Sequence, residues 1–192
     1  YGETVRILLP SGEERNGQVL DISRDLAVVQ VYEGTSGIDS VRTAVRFTGE
    51  LPRINVSVEM LGRVFSGVGK PRDGKPDIIS DEAVEISGMP INPYARDKPA
   101  DFIQTGMSTI DGLNTLVRGQ KLPIFSGNGL PHNALAVQVA TQSRLLGAEN
   151  FAVVFAGIGI KHDDAAFFTR ELAEKSHTNK IVTFLNLADD PV

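Results

Sequence analysis

The sequence contains no cysteine. That one absence excludes disulfides, thiol nucleophiles and cysteine-ligated zinc, and it suits a reducing compartment. No apolar run approaches the ~18 residues of a membrane-spanning helix. Positive charge is also scarce. Lys and Arg number 19 against 24 Asp and Glu, for a net charge of -5 and a pI of about 5.2. A sequence-independent grip on nucleic acid needs clustered Lys and Arg, so this balance argues against one. Tyr1 opens no signal peptide or targeting sequence. The chain begins without methionine on a strand-like pattern, which leads us to expect further sequence upstream. What is present is ordinary: 192 residues, 41% hydrophobic and 22% charged, fit one large globular domain or two small ones.

The first third reads as β-structure. Val5, Ile7 and Leu9 alternate with Arg6 and Leu8, and Pro10-Ser11-Gly12 turns the chain. Asn16–Ser23, Leu26–Tyr32 and Val45–Thr48 are three more short strand candidates. Short strands at close spacing with glycine turns predict a small barrel or sandwich. A barrel of this kind binds single-stranded nucleic acid when aromatics are exposed among basic residues. Only Tyr1, Tyr32 and Phe47 are aromatic here, which favours a structural or assembly role. Gly67–Pro76, GVGKPRDGKP, reads as a tight turn or hairpin tip, because no helix follows it. Gly88–Pro99, with three prolines, reads as an extended linker, and the domain boundary falls in or just before it. This gives residues 1–50 as the barrel, 51–99 as a hairpin and Pro-rich connection, and 100–192 as the start of a second domain.

Beyond the linker the pattern becomes α/β. Ser108–Leu116 suggests a short helix with Ser108 as N-cap and Asp111 completing a capping box. Lys121–Phe125 is predicted as a strand, and Asn133–Leu146 as a helix ended by Gly147. Phe151–Ala156 is a continuous apolar run, as expected of a strand buried on both faces. Asp163–Lys175 is an amphipathic helix with acids in its first turn. Ile181–Leu187 is another buried strand. Strand and helix alternate, which predicts a parallel sheet flanked by helices.

Phe125–Asn133, FSGNGLPHN, sits where a phosphate-binding loop would sit, between that strand and helix. A working loop of the form G-x-x-x-x-G-K-[ST] curls backbone N–H groups around phosphates. Its lysine reaches the β- and γ-phosphates, and its hydroxyl holds magnesium. Within the stretch, Ser126, Gly127 and Gly129 keep the small residues that permit close backbone approach, with Asn128 and Leu130 between and after them. The helix that follows offers its positive end to an anion. Pro131 replaces the last glycine and removes a donor, although it suits a helix start. His132 replaces the lysine; a histidine is shorter and largely uncharged at neutral pH. Asn133 replaces the Ser or Thr. Two readings stay open: a weak or accessory site for ADP or ATP, with magnesium arriving only with the nucleotide, or a structural turn. Neither supports hydrolysis.

A second candidate is Gly157–Asp164, GIGIKHDD, at the carboxyl end of a buried strand, where ligands of open α/β sheets sit. Lys161, His162, Asp163 and Asp164 suggest a metal or acid–base cluster. An N-capped helix with an acidic first turn explains the same residues, and we favour it, because adjacent acids do not readily face one metal. His177 reads as isolated and exposed.

Together FTGE, MLGRVFSGVGKPRDG, PINPYARDKP, IQTGMSTIDGLNTLVRGQKLPIFSGNGLPHN and FAGIGIKHDDAAFF resemble the non-catalytic B subunit of archaeal (A-type) and vacuolar (V-type) rotary ATPases. The resemblance spans essentially the whole chain, and the absent cysteine leans toward an archaeal or bacterial source. It implies an N-terminal β-barrel followed by part of a RecA-like P-loop core. It also implies alternation with catalytic A subunits in a hexameric head, carried on central and peripheral stalks, at the cytoplasmic face of a membrane and without direct insertion into it. The head couples ATP synthesis or hydrolysis to proton or sodium flow, and nucleotide lies near the A–B interfaces. The related catalytic subunits carry a glutamate in a GxGER loop, a position that falls on Ile160 here. An isoleucine cannot polarise water. The resemblance also implies a fragment, without the first barrel strand, the rest of the core and a helical C-terminal domain. An ATPase in its own right, a pure assembly scaffold and a helicase-like nucleic-acid binder are the alternatives.

Overall fold

The computed structural model describes residues 1–79, 82–88, 92–146, 151–175 and 180–190. Its strands in chain order are β1 (Thr4–Leu8), β2 (Glu14–Ser23), β3 (Leu26–Val31), β4 (Ala44–Phe47), β5 (Arg53–Val56), β6 (Val64–Ser66), β7 (Glu82–Glu85) and β8 (Ile103–Gln104). Then come helix α1 (His132–Gln142), β9 (Arg144–Leu145), β10 (Val153–Ile160), helix α2 (His162–Lys175) and β11 (Ile181–Leu187). No helix among the described residues is long and apolar enough to cross a membrane.

The first sheet follows from its alternation. A period of two sends every second side chain to one face. Val5 and Ile7 of β1 therefore bury against Val19 and Val31, with Leu9 closing the cluster. The sheet is antiparallel in the order β3-β2-β1-β4. The expected turn after β1 forms, with the Gly12 N–H bonded to the Leu9 carbonyl at 2.9 Å.

The second sheet is parallel, in the order β10-β11-β6. Parallel neighbours need a crossover, and α2 supplies it between β10 and β11. Ala165, Phe168 and Leu172 make the buried stripe of α2, while Asp163 and Asp164 sit in its first turn and Lys175 in its last, as the helix dipole favours. On one face of the sheet, α1 and α2 meet Ile181 through Val137, Phe168 and Leu172. On the other, Val182 packs with Phe65 and Met60. So β11 is the strand buried on both sides, as its apolar run predicts. The third strand, β6, comes from before the linker, and no local pattern in the sequence marks its place in this sheet.

The segment after β6 is the expected hairpin tip. Ser66 donates to the Lys70 carbonyl at 2.7 Å, and Gly69 to Ser66 at 2.9 Å. Arg63 anchors it. Its guanidinium bonds Asp73 at 2.5 and 3.0 Å and the Pro76 carbonyl at 2.9 Å. Arg63 holds the Asp73 carboxyl down at about 2.

Several expectations need correction. Lys121–Phe125 forms no strand among the described residues. A strand exists through its hydrogen-bonded neighbours; this run has none, and Phe125 is 92% exposed. β10 is not buried on both faces. It lies at the edge of the parallel sheet, and Val154 and Ile158 face outward at 66% and 73% exposure. The helix predicted over Asn133–Leu146 begins at His132 and stops at Gln142, before Gly147, which lies outside the described residues. The Ser143 hydroxyl caps Val139 at 2.6 Å, and Arg144–Leu145 then pairs with β8 instead. Ser108 is not an N-cap. It is itself helical and leads into a π-helical turn over Ile110–Asn114. Asp111 reaches further back than a capping box, to the Thr105 N–H, the Thr105 hydroxyl and the Gly106 N–H. Those donors, Thr105 first, hold its carboxyl below the ordinary value. The stretch around Gly88–Pro99 is exposed where described, and it contains a 3₁₀ turn at Pro93–Ala95 capped by Asn92.

Candidate functional site

The loop from Ser126 to His132 is exposed throughout, and Asn133 is half-buried. Its backbone makes a defined turn. Leu130 donates to the Gly127 carbonyl at 3.4 Å, and Gly129 takes φ +82° at the third position. That position of a type II turn requires a positive φ, which glycine adopts without steric cost. The His132 N–H then bonds the Leu130 carbonyl at 2.8 Å. The amides of Leu130 and His132 are thus spent within the loop, and Pro131 has none to offer. Pro131 occupies the N-cap of α1 and lends its carbonyl to Leu135 at 3.1 Å.

Asn133 does not stand alone. Its Nδ2 donates to Oδ1 of Asp164 at 2.7 Å, which links the first turn of α1 to the first turn of α2. The two loops singled out in the sequence therefore meet at one point. The other residues of the second candidate diverge. Asp163 and Asp164 lie in the acidic helix start, as favoured above, and the described residues hold no group of three or more metal-ligating side chains. His162 instead faces Asp189, with Nε2 3.2 Å from Oδ1, on a surface open to solvent. The Asp189 carboxyl is held below its ordinary value, first by its own N–H and then by His162. Beside it, Asp190 takes the Leu187 N–H at 2.9 Å and Arg72 at 3.4 Å. Ile160 is half-buried against the apolar clusters under α2. His177 lies outside the described residues.

Sequence reasoning missed the Asn133–Asp164 contact and the Arg72–Asp190 contact. Asp164 was visible as part of a helix start, and Asp190 had no reading at all. Their partners sit 31 and 118 residues away, and no local spacing reveals such pairs.

Two cavities flank this region. A slot of about 350 Å³ runs between Ile124 and Phe125 ahead of the loop and Ile110 and Leu135 beside it. A larger one, about 610 Å³, lies between the two sheets, with Arg6, Arg53 and Lys70 among its lining and Ile158 and Phe184 opposite. It includes no residue of the loop, and its cations each stand 3.5 to 3.6 Å from an acid, so it presents no unmatched charge for a phosphate.

Chemically, then, the loop offers a helix start and a turn to an anion. His132 and Asn133 stand where a working loop carries its lysine and its metal-holding hydroxyl, and Ile160 brings no carboxylate to activate water.

The family model described as the ATP synthase alpha/beta family, nucleotide-binding domain, matches residues 106–192. That described as the ATP synthase alpha/beta family, beta-barrel domain, matches residues 1–49. A relative from Methanopyrus kandleri, named as the B subunit of an A-type ATP synthase, is 60% identical over all 192 residues. The chain spans 19% of that relative's length.

Proposed function

The chain belongs to the ATP synthase alpha/beta family, and on that premise we propose that it is part of a non-catalytic B subunit in the head of an A-type ATP synthase. In this reading it alternates with catalytic A subunits on central and peripheral stalks, at the cytoplasmic face of the membrane. Its first sheet holds the ring together. Its loop, Ser126–Asn133, takes ADP or ATP weakly at an interface with the A subunit, with magnesium accompanying the nucleotide, and does not hydrolyse it.

The observation that carries the reading is the state of the loop. A helix start survives in front of it, yet the Leu130 and His132 amides are bonded internally and Asn133 is engaged by Asp164. An anion meets a favourable dipole there but few free donors, which supports weak binding. Ile160 in an apolar setting supports the absence of hydrolysis. Those same internal bonds favour a second reading, in which the loop is a turn and the subunit is purely a scaffold.

Turnover tests the catalytic half. The full-length polypeptide should hydrolyse no magnesium-ATP above background, and a loop rebuilt by Pro131→Gly/His132→Lys/Asn133→Thr should remain inactive, since position 160 still lacks a carboxylate. Magnesium-dependent turnover by the native polypeptide would instead make it an ATPase in its own right.

A further inference from the structure

Asp164 has no assigned part in the loop, yet among the described residues it is the acid bonded to it. Its Oδ1 lies 2.7 Å from Nδ2 of Asn133, one residue into α1. A full negative charge is therefore fixed beside the end of α1 that would otherwise attract a phosphate. We infer that Asp164 is an affinity-setting residue for the loop, a built-in counter-charge that opposes the phosphate groups of a nucleotide and keeps the site weak.

This rests on the reading of Ser126–Asn133 as a phosphate site. The geometry gives Asp164 two effects. Its charge repels an incoming polyphosphate, and its hydrogen bond holds the Asn133 amide away from one. Asp163 precedes it in the same helical turn with the same charge. The hydrogen bond to the loop is made by Asp164. The pair therefore separates a positional effect from a general one. Metal-free nucleotide, with its phosphate charge unscreened, should feel Asp164 most.

The test is calorimetric binding of ADP to the full-length polypeptide, in EDTA and again with magnesium. Native protein is compared with Asp164→Asn, Asp164→Ser, Asp163→Asn and the rebuilt loop described above. Asp164→Asn keeps an oxygen for Asn133, and Asp164→Ser removes the charge with a shorter side chain, so a shared result does not depend on one substitution. Both Asp164 variants should bind metal-free ADP about tenfold tighter at low salt, as expected for removing one nearby charge. The gain should shrink as salt rises, and Asp163→Asn should give clearly less. If Asp164 variants match the native protein while the rebuilt loop binds, the inference is wrong and the nucleotide reading stands. An equal gain from Asp163→Asn also overturns it. Weaker magnesium-ADP binding by the Asp164 variants would make Asp164 a metal-side group, again overturning it. If even the rebuilt loop binds no ADP, the nucleotide reading fails and the inference falls with it.

Discussion

Asp73 shows what a single side chain contributes in this molecule. Its carboxylate is 13% exposed and grips Arg63, itself 10% exposed, so the pair is mostly out of water. Removing one partner of a buried pair leaves the other charge uncompensated. Asp73→Asn should cost about 2 kcal/mol, below the usual loss for buried pairs because water still reaches the rim. A urea melt reads it as a lower midpoint. The pH effect has a definite sign. The folded carboxyl is depressed to about 2 from an ordinary 3.8. The stabilisation is therefore complete above pH 4 and lost as pH falls through 2. Native protein should lose stability across that window, and Asp73→Asn should lose less. Equal losses would remove Asp73 as the cause. The sequence marked Asp73 only as part of a turn, since its partner lies across the hairpin.

At the scale of elements, the helices and strands divide according to what covers them. Phe168 of α2 is buried, with its ring 4.8 Å from Phe155 and 5.6 Å from Phe167. Phe168→Ala should destabilise by roughly 3 to 4 kcal/mol through lost burial and a residual cavity. Phe125, in the run that looked like a strand, is exposed, and Phe125→Ser should shift stability by less than about 0.5 kcal/mol. Thermal melts of the two variants distinguish them, and a large loss from Phe125→Ser would show that Lys121–Phe125 is packed after all. The contrast also explains what could be read from sequence. β1, β2, β3 and β11 were legible because their alternation or apolar runs report burial directly. Lys121–Phe125 has the same apolar signature, but pairing depends on a neighbour that local pattern does not encode. The end of α1 was misplaced for a related reason: Arg144–Leu145 leaves helical geometry to pair with β8, 40 residues back, and that long-range bond outweighs local helix propensity. Asp111 was recognised as a helix-start acid, yet it ties down Thr105 and Gly106 rather than its own turn.

The whole molecule joins an antiparallel sheet to a parallel one whose outer strand, β10, has no second neighbour among the described residues. An unpaired edge with outward apolar side chains templates association. The 192-residue chain by itself should therefore self-associate at micromolar concentration, and Val154→Lys should reduce this several-fold in analytical ultracentrifugation without altering circular dichroism. Unchanged association would place the contact elsewhere. At this scale the candidate site was half legible. The loop, its missing lysine and the isoleucine at position 160 stand in the sequence. The bond that brings α2 to Asn133 does not, because only the packed helices create it.

The most direct test is equilibrium binding of magnesium-ADP to the full-length polypeptide together with its catalytic partner, native against Pro131→Gly/His132→Lys/Asn133→Thr. A charged donor returned to the phosphates should tighten binding about tenfold or more over a weak native site. Tight binding by the native loop, equal to that of the rebuilt one, would contradict the account, and so would the absence of binding by both.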